Sequence, residues 1–304
     1  MQEHRYSDLR PLLEDRIAFH LAEQHERWMN RFRNAQIDIP SLLPALSYAT
    51  KSGKRVRPLL LLSSYCAFVG DDARRALQEG HDTAVLDLAA ALEMIHAYSL
   101  VHDDLPAMDN DVLRRGEPTV HVRFGEGNAI LAGDALLNLA YETMLGAICR
   151  IPEEPCRNRL LRAGEQIASL AGVQGMIGGQ VLDLASEVLG EPDVVRTMVE
   201  MKTGALILAA CRAGAIAAGA EAEALQAISS YALHLGIAFQ AQDDLFDREQ
   251  DRKIDKKTLI RTMSARDAEQ FVQDEFQKAF KALNGVTRSQ ELVELTRALQ
   301  KRQF

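Results

Sequence analysis

The sequence predicts an all-α chain, on three observations. Apolar residues recur at three- and four-residue steps, strand-like alternation is almost absent, and Ala and Leu dominate while runs of β-branched residues are rare. Several of the helices so read are apolar nearly all round, which places them inside a bundle. Only nine prolines occur, none beyond Pro192, and no Gly/Ser-rich linker interrupts the chain. The expectation is one all-helical domain over residues 1–304, with roughly ten or more helices.

Taken in order, the N-terminal residues are polar and acidic and do not resemble a secretory signal. Ser52-Gly-Lys54-Arg55-Val-Arg57-Pro58 opens an apolar helix that includes Leu59–Val69. A second apolar helix carries Leu86, Ala89, Ala90, Leu92, Ile95 and Leu100. Gly172–Gly179 holds four glycines in eight positions, which reads as close helix packing, since the strands of a phosphate loop are missing. Lys202-Thr203-Gly204 precedes the apolar run Ala205–Ala220, itself broken by Arg212. Leu225, Ile228, Leu235 and Phe239 mark the next helix. No stretch is read as a membrane span.

With 35 Lys+Arg against 43 Asp+Glu the net charge is -8, which argues against nucleic-acid or anionic-membrane partners while leaving room for a local cationic pocket. Four cysteines without Cys-x-x-Cys or finger spacing indicate neither a zinc site nor a disulfide framework. A reducing cytoplasm is the expected location.

Two acidic clusters carry the chemistry. The first ends an apolar helix, His96-Ala-Tyr98-Ser99-Leu-Val-His102-Asp103-Asp104-Leu-Pro106-Ala-Met-Asp109-Asn-Asp111. Carboxylates at a helix C-terminus are opposed by the helix dipole and by one another, so the arrangement calls for a cation. Pro106 cannot continue the helix, so the chain is expected to loop before Asp109 returns. In the second cluster Gln240, Asp243, Asp244 and Asp247 share one helical face, with Gly236 a turn earlier expected to leave space beside it. A few carboxylates with water and phosphate completing the shell suit Mg²⁺. One such run alone is ordinarily a solvated helix end; two, each preceded by apolar helix, are not. EF-hand spacing and a second Glu-x-x-His pair are both absent. Basic groups accompany these acids: Lys54 and Arg57, Lys202, and Arg114 with Arg115, which either pair with the neighbouring aspartates or grip a phosphate. A greasy bundle with two acidic walls and a ring of cations suits a substrate that is diphosphate at one end and hydrocarbon at the other.

These residues resemble the trans-prenyltransferase (polyprenyl synthetase) family, most closely its bacterial farnesyl diphosphate synthase members. The motifs are Gly53-Lys-Arg-Val-Arg-Pro58, His96 to Asp109, Leu113-Arg-Arg-Gly116, Ala129 to Leu137, Gly178-Gly-Gln-Val-Leu-Asp-Leu184, Lys202-Thr-Gly-Ala-Leu206 and Phe239 to Asp247. The resemblance implies an isoprenoid-synthase-like bundle around a central cavity and a homodimer. It implies head-to-tail condensation of isopentenyl diphosphate with dimethylallyl or geranyl diphosphate to farnesyl diphosphate, and about three Mg²⁺. Carried over by position, Lys54, Arg57, His96 and Arg115 would hold isopentenyl diphosphate, and Arg114, Lys202, Thr203 and Gln240 the allylic diphosphate. Asp103, Asp109 and Asp243 would bind Mg²⁺, with Asp104, Asp183 and Asp247 in or near its outer shell. Tyr98 corresponds to the bulky floor that stops the growing chain near C15. After Asp247 the family's lysine loop is shortened here, with Lys256 the better candidate for its lysine and Lys253 the other. Alternatives are a geranyl or geranylgeranyl diphosphate synthase, or a weakly active or silent subunit. A terpene cyclase is opposed by the second Asp-x-x-x-Asp and by the basic residues for a second diphosphate.

Overall fold

A computed structural model of the chain describes residues 8–32, 42–185, 192–246 and 258–301. Asp247, Lys253 and Lys256 lie outside the described residues. In chain order the helices are α1 (Leu9–Arg31), α2 (Leu42–Thr50), α3 (Val56–Val69), α4 (Asp71–Gln78) and α5 (Thr83–Asp103). A small hairpin, β1 (Leu113–Arg114) and β2 (Glu117–Pro118), leads to α6 (Val120–Phe124), α7 (Glu126–Cys149), α8 (Glu154–Ala171), α9 (Met176–Leu184) and α10 (Pro192–Val199). A π turn, Glu200–Gly204, then enters α11 (Ala205–Ala217), followed by α12 (Ala222–Phe246), α13 (Ala265–Ala282) and α14 (Gln290–Gln300).

The all-α expectation is met, and the hairpin is the exception that periodicity did not show. Arg115 and Gly116 form its two-residue loop with φ of 55° and 81°. Positive φ at both central positions is the turn whose twist matches a hairpin, and Gly116 takes it without steric cost. Elsewhere the ends follow local chemistry. At the start of α13 the Asp267 amide donates to Ser264 Oγ at 3.1 Å, and that hydroxyl donates to the Asp267 carboxylate at 2.7 Å, capping the first turn.

One hydrophobic cluster extends from Leu9 on α1 to Leu299 on α14. α5 and α11 lie at its centre: α5 packs on α7, α3 and α1, and α11 on α3, α8 and α12. This explains why both helices are apolar all round. By length and composition the 21-residue α5 is apolar enough to cross a membrane, which the sequence reading overlooked; 83% of its most apolar window is buried among other helices. Arg212 does not break α11. Its guanidinium donates to Gln166 and Ser229 at 2.7 Å each, joining α8, α11 and α12.

A single charge inside α5 ties the N-terminal half together. Asp87 is fully buried and accepts from Arg16 at 2.5 and 2.9 Å, from Arg150 at 2.6 Å, and pairs with His20 at 2.6 Å. Burial opposes its ionisation, but these partners prevail and hold its pKa below the ordinary carboxylate value.

Candidate active site

The last turn of α5 builds the first wall. The helix stops at Asp103, before Pro106, and the Asp109 amide donates to the Asp103 carbonyl at 2.9 Å. The loop therefore closes on itself and returns Asp109 to the helix end, as Pro106 implied. Asp103 accepts a 2.6 Å hydrogen bond from Gln180 of α9, and Lys202 Nζ lies 3.8 Å from Asp103 and 2.6 Å from Asp183. Lys202 reaches this place because α9 lies directly on the π turn: a Cβ on Gly179 would come within 2.6 Å of Lys202 Cα. Gly178 and Gly179 thus serve close packing on the π turn, while Gly172 and Gly175 leave room for the backbone just before them.

Asp104 goes elsewhere. It is buried and bound by Arg114, with Nε at 2.7 Å and Nη2 at 2.5 Å. The structure pairs these two with each other, and Arg114 also borders the cradle that Lys54, Arg57, His96 and Arg115 line. Arg114 Nη2 also lies 3.7 Å from Asp111.

The second wall comes from α12 and the π turn. Thr203 donates to Gln240 Oε1 at 2.7 Å and Gln240 Nε2 donates to Asp244 at 2.9 Å. The acidic face divides: Asp244 is buried, while half-buried Asp243 borders a basic cradle with Lys54, Arg57, Glu93, His96 and Arg115. Gly236 does not leave open space, because the Gly204 backbone fills it, with Cα 2.9 Å from where a Cβ would stand.

The cradle is pinned from below. Arg55, at φ 55°, turns its guanidinium inward to Glu14 at 2.9 Å, Glu93 at 2.7 Å and the Thr50 carbonyl at 2.5 Å. Arg115 reaches across from the hairpin to the Ser52 carbonyl. Arg57 donates to His96 Nε2 at 3.2 Å. Burial lowers the pKa of Arg57 against the pull of Glu93 and Asp243, and burial with the neighbouring arginines drives His96 well below its ordinary value. His96 is therefore neutral, accepts at Nε2 and carries its proton on Nδ1. Arg57 Nε is buried without a hydrogen-bond partner among the described residues. Guanidiniums crowded this way, with one of them incompletely satisfied, favour an incoming anion.

The cradle adjoins, through the shared residues Arg57, His96, Leu100 and Thr203, a cavity of about 480 Å³ that the Asp103 wall lines. Its rim carries Arg57, His96, Asp103, Lys202 and Thr203, and Tyr98, Met108, Leu137, Met176, Val181 and Leu184 line its apolar part. Among the described residues no three His, Cys, Asp or Glu side chains form a ready-made metal cage. The donor set nonetheless suits Mg²⁺. Burial, with Asp109 and Asp183 adding to it, pushes the Asp103 carboxyl up to about 6 despite Lys202 and Arg114; Lys202 is shared between Asp103 and Asp183, so hard oxygen donors outnumber the lysine beside them.

Sequence reasoning missed Arg55, Glu93 and Glu14, the buried frame under the cradle. The available signal was a lone Glu and a lone Asp inside an otherwise apolar helix, since buried charges are normally paired. His81, His121 and His234 are not ligands of this site; His121 bonds Thr119 and His234 bonds Glu275.

Comparison with known proteins agrees with this geometry. Residues 40–269 match the polyprenyl synthetase family. The chain is 48% identical over 202 residues to farnesyl diphosphate synthase of Escherichia coli K12, covering 66% of this chain and 63% of that protein. It is 42% identical over 199 residues to a geranylgeranyl diphosphate synthase of Cyanophora paradoxa, covering 64% and 61%. The matched stretch therefore spans just under two thirds of the length of these relatives. A geranyltransferase crystal structure from Legionella pneumophila superposes with a TM-score of 0.75 at 32% identity, covering 96% of this chain and 98% of that one. By motif order, fold and site, the chain belongs to the polyprenyl synthetase family.

Proposed function

We propose that the chain is a single-domain prenyl diphosphate synthase that condenses isopentenyl diphosphate head-to-tail with dimethylallyl and geranyl diphosphates, ending at farnesyl diphosphate. The observation that carries this is a basic cradle bordered by Asp243 that shares Arg57, His96 and Thr203 with a cavity lined by Asp103, Lys202 and, on its apolar part, Tyr98. The contiguous core from Leu9 to Leu299 supports one domain. That the matched relatives include a geranylgeranyl synthase leaves product length to Tyr98, whose bulk favours C15.

In this reading Lys54, Arg57 and Arg115 bind the isopentenyl diphosphate, and neutral His96 donates Nδ1–H to it. Lys202, Thr203 and Gln240 orient the allylic diphosphate, and Arg114 joins them if it leaves Asp104. Asp103, Asp109 and Asp243 would hold Mg²⁺, with Asp183, Asp104 and Asp247 around them. Magnesium, when bound, would offset the charge that develops on the departing diphosphate. The allylic C–O bond breaks, the isopentenyl double bond attacks the allylic carbon, and a proton leaves to the released diphosphate. The apolar cavity keeps water from the allylic cation. Exposed Ile130, Leu131 and Leu145 along α7, with Val122 of α6, support a homodimer.

Incubation with isopentenyl and geranyl diphosphates plus Mg²⁺ is expected to yield C15 diphosphate as the main product. Absence of any prenyl product would remove the reading, and a dominant C20 product would remove the floor at Tyr98.

A further inference from the structure

The contact between α5 and α7 is the most extensive helix pair among the described residues, and its end beside the cavity has an unusual construction. His102 follows Tyr98 by one turn, and their rings meet edge to face with centroids 5.8 Å apart. The imidazole lies over the bare backbone of Gly133 on α7. A Cβ at Gly133 would collide with the ring, its Cε1 only 2.8 Å away and other ring atoms closer. In this seat Nε2 donates to the Ile130 carbonyl at 3.1 Å and lies 3.9 Å from Asp134.

Tyr98 depends on that neighbour. It is buried, and its hydroxyl has no hydrogen-bond partner among the described residues, so no polar bond fixes the ring. Packing alone sets where the floor stands, and the His102 edge is part of it. Both rings line the cavity. A shift of His102 therefore alters the volume available to a growing chain without touching the diphosphate groups.

We propose that Gly133 is a seat for His102, and that the seated imidazole fixes Tyr98 and so sets the length of prenyl chain the cavity accepts. The proposal rests on the reading of the chain as a prenyl diphosphate synthase. Gly133 and His102 are thus positioning residues for product length, acting through the floor.

The seat makes opposite predictions for its two halves. In Gly133→Ala the new methyl expels the imidazole from α7 toward the cavity, so the C10:C15 ratio should rise about tenfold, the scale on which a pocket discriminates small hydrocarbon differences. In His102→Ala the floor loses its lateral support and space opens beside it, so the C20 fraction should rise about tenfold. In the double variant the methyl no longer meets a ring, so the shortening should vanish and the products should match those of His102→Ala, which general damage would not produce.

The full-length chain and the three variants would be incubated with isopentenyl and dimethylallyl diphosphates and Mg²⁺, with products resolved by chain length and folding checked by thermal melts. Opposed shifts in the single variants, with the double variant matching His102→Ala, support the proposal. Unchanged ratios, or shifts in the same direction, overturn it while leaving the functional reading intact. No product from the wild-type chain overturns both. If Gly133→Ala does not fold, His102→Ala decides alone: no gain of longer product overturns the seat.

Discussion

Asp87 and Asp103 sit on the same helix and have opposite fates. Asp87 is enclosed by Arg16, His20 and Arg150, and its pKa lies below the ordinary carboxylate value. Asp103 shares its surroundings with Asp109 and Asp183, has Lys202 no nearer than 3.8 Å, and is pushed up to about 6. Where the fold supplies enough cations, the acid holds helices together. Where it supplies too few, the acid is left for something that arrives from solution.

Exchanging each acid for its amide should separate the two roles. Asp103→Asn should lower kcat by about a thousandfold or more, since metal-assisted departure of the diphosphate carries much of the barrier reduction. Its Tm should hold or rise, because an under-compensated buried charge is removed. Near-normal turnover, or a Tm loss matching that of Asp87→Asn, would break the contrast.

Asp87→Asn should do the reverse. It strands Arg16 and Arg150, and urea unfolding should show a loss of about 3 kcal/mol, toward the lower end for a broken buried pair because Arg150 is half exposed. Turnover per folded molecule should not change. A fall in kcat at constant folded fraction would mean that Asp87 reaches the chemistry.

A smaller effect is expected where wall and fold meet. Gly179→Ala places a methyl against the Lys202 backbone and should cost about 1–3 kcal/mol of stability by overpacking. It should also raise the KM for the allylic substrate more than that for isopentenyl diphosphate. Equal changes in both would detach Lys202 from the allylic side.

The smallest effect is in the acid limb of stability. Asp87 and Glu275 both have depressed pKa values; for Glu275, burial is outweighed by Lys278 and His234. A depressed carboxylate stabilises the fold fully above its unfolded value, near 4, and loses that contribution as pH falls through the lower folded value. Stability should therefore decline below about pH 4, and less steeply in Asp87→Asn, as measured by urea midpoints from pH 6 to pH 2.5. An unaltered acid limb in the variant would contradict the assignment.

Much of the site was legible in the sequence because it lies in local patterns. The Asp103–Asp109 return follows from Pro106, whereas Tyr98, which lines the cavity, is singled out by the resemblance to the family and not by helical spacing. The missing parts are contacts across long stretches of chain. Periodicity shows that a helix face is buried but not which residue it meets, so Arg55 with Glu14 and Glu93, or Arg16 with Asp87, emerge only from the fold. The Asp104–Arg114 pair is one of two readings the sequence leaves open, and a two-residue hairpin, which gives almost no periodic signal, is what aims Arg114 at Asp104. The Gly133 seat was equally hidden, since a glycine in a helix does not reveal the ring that uses its missing side chain.

On the proposed function, the Asp103 wall would be completed by magnesium with a diphosphate. Thermal melts with Mg²⁺, with inorganic pyrophosphate and with both test it without turnover. The wild-type chain and Asp87→Asn should each rise in Tm only when both are present, and Asp103→Asn should not. An equal rise in Asp103→Asn, or none in the wild-type chain, would contradict the account.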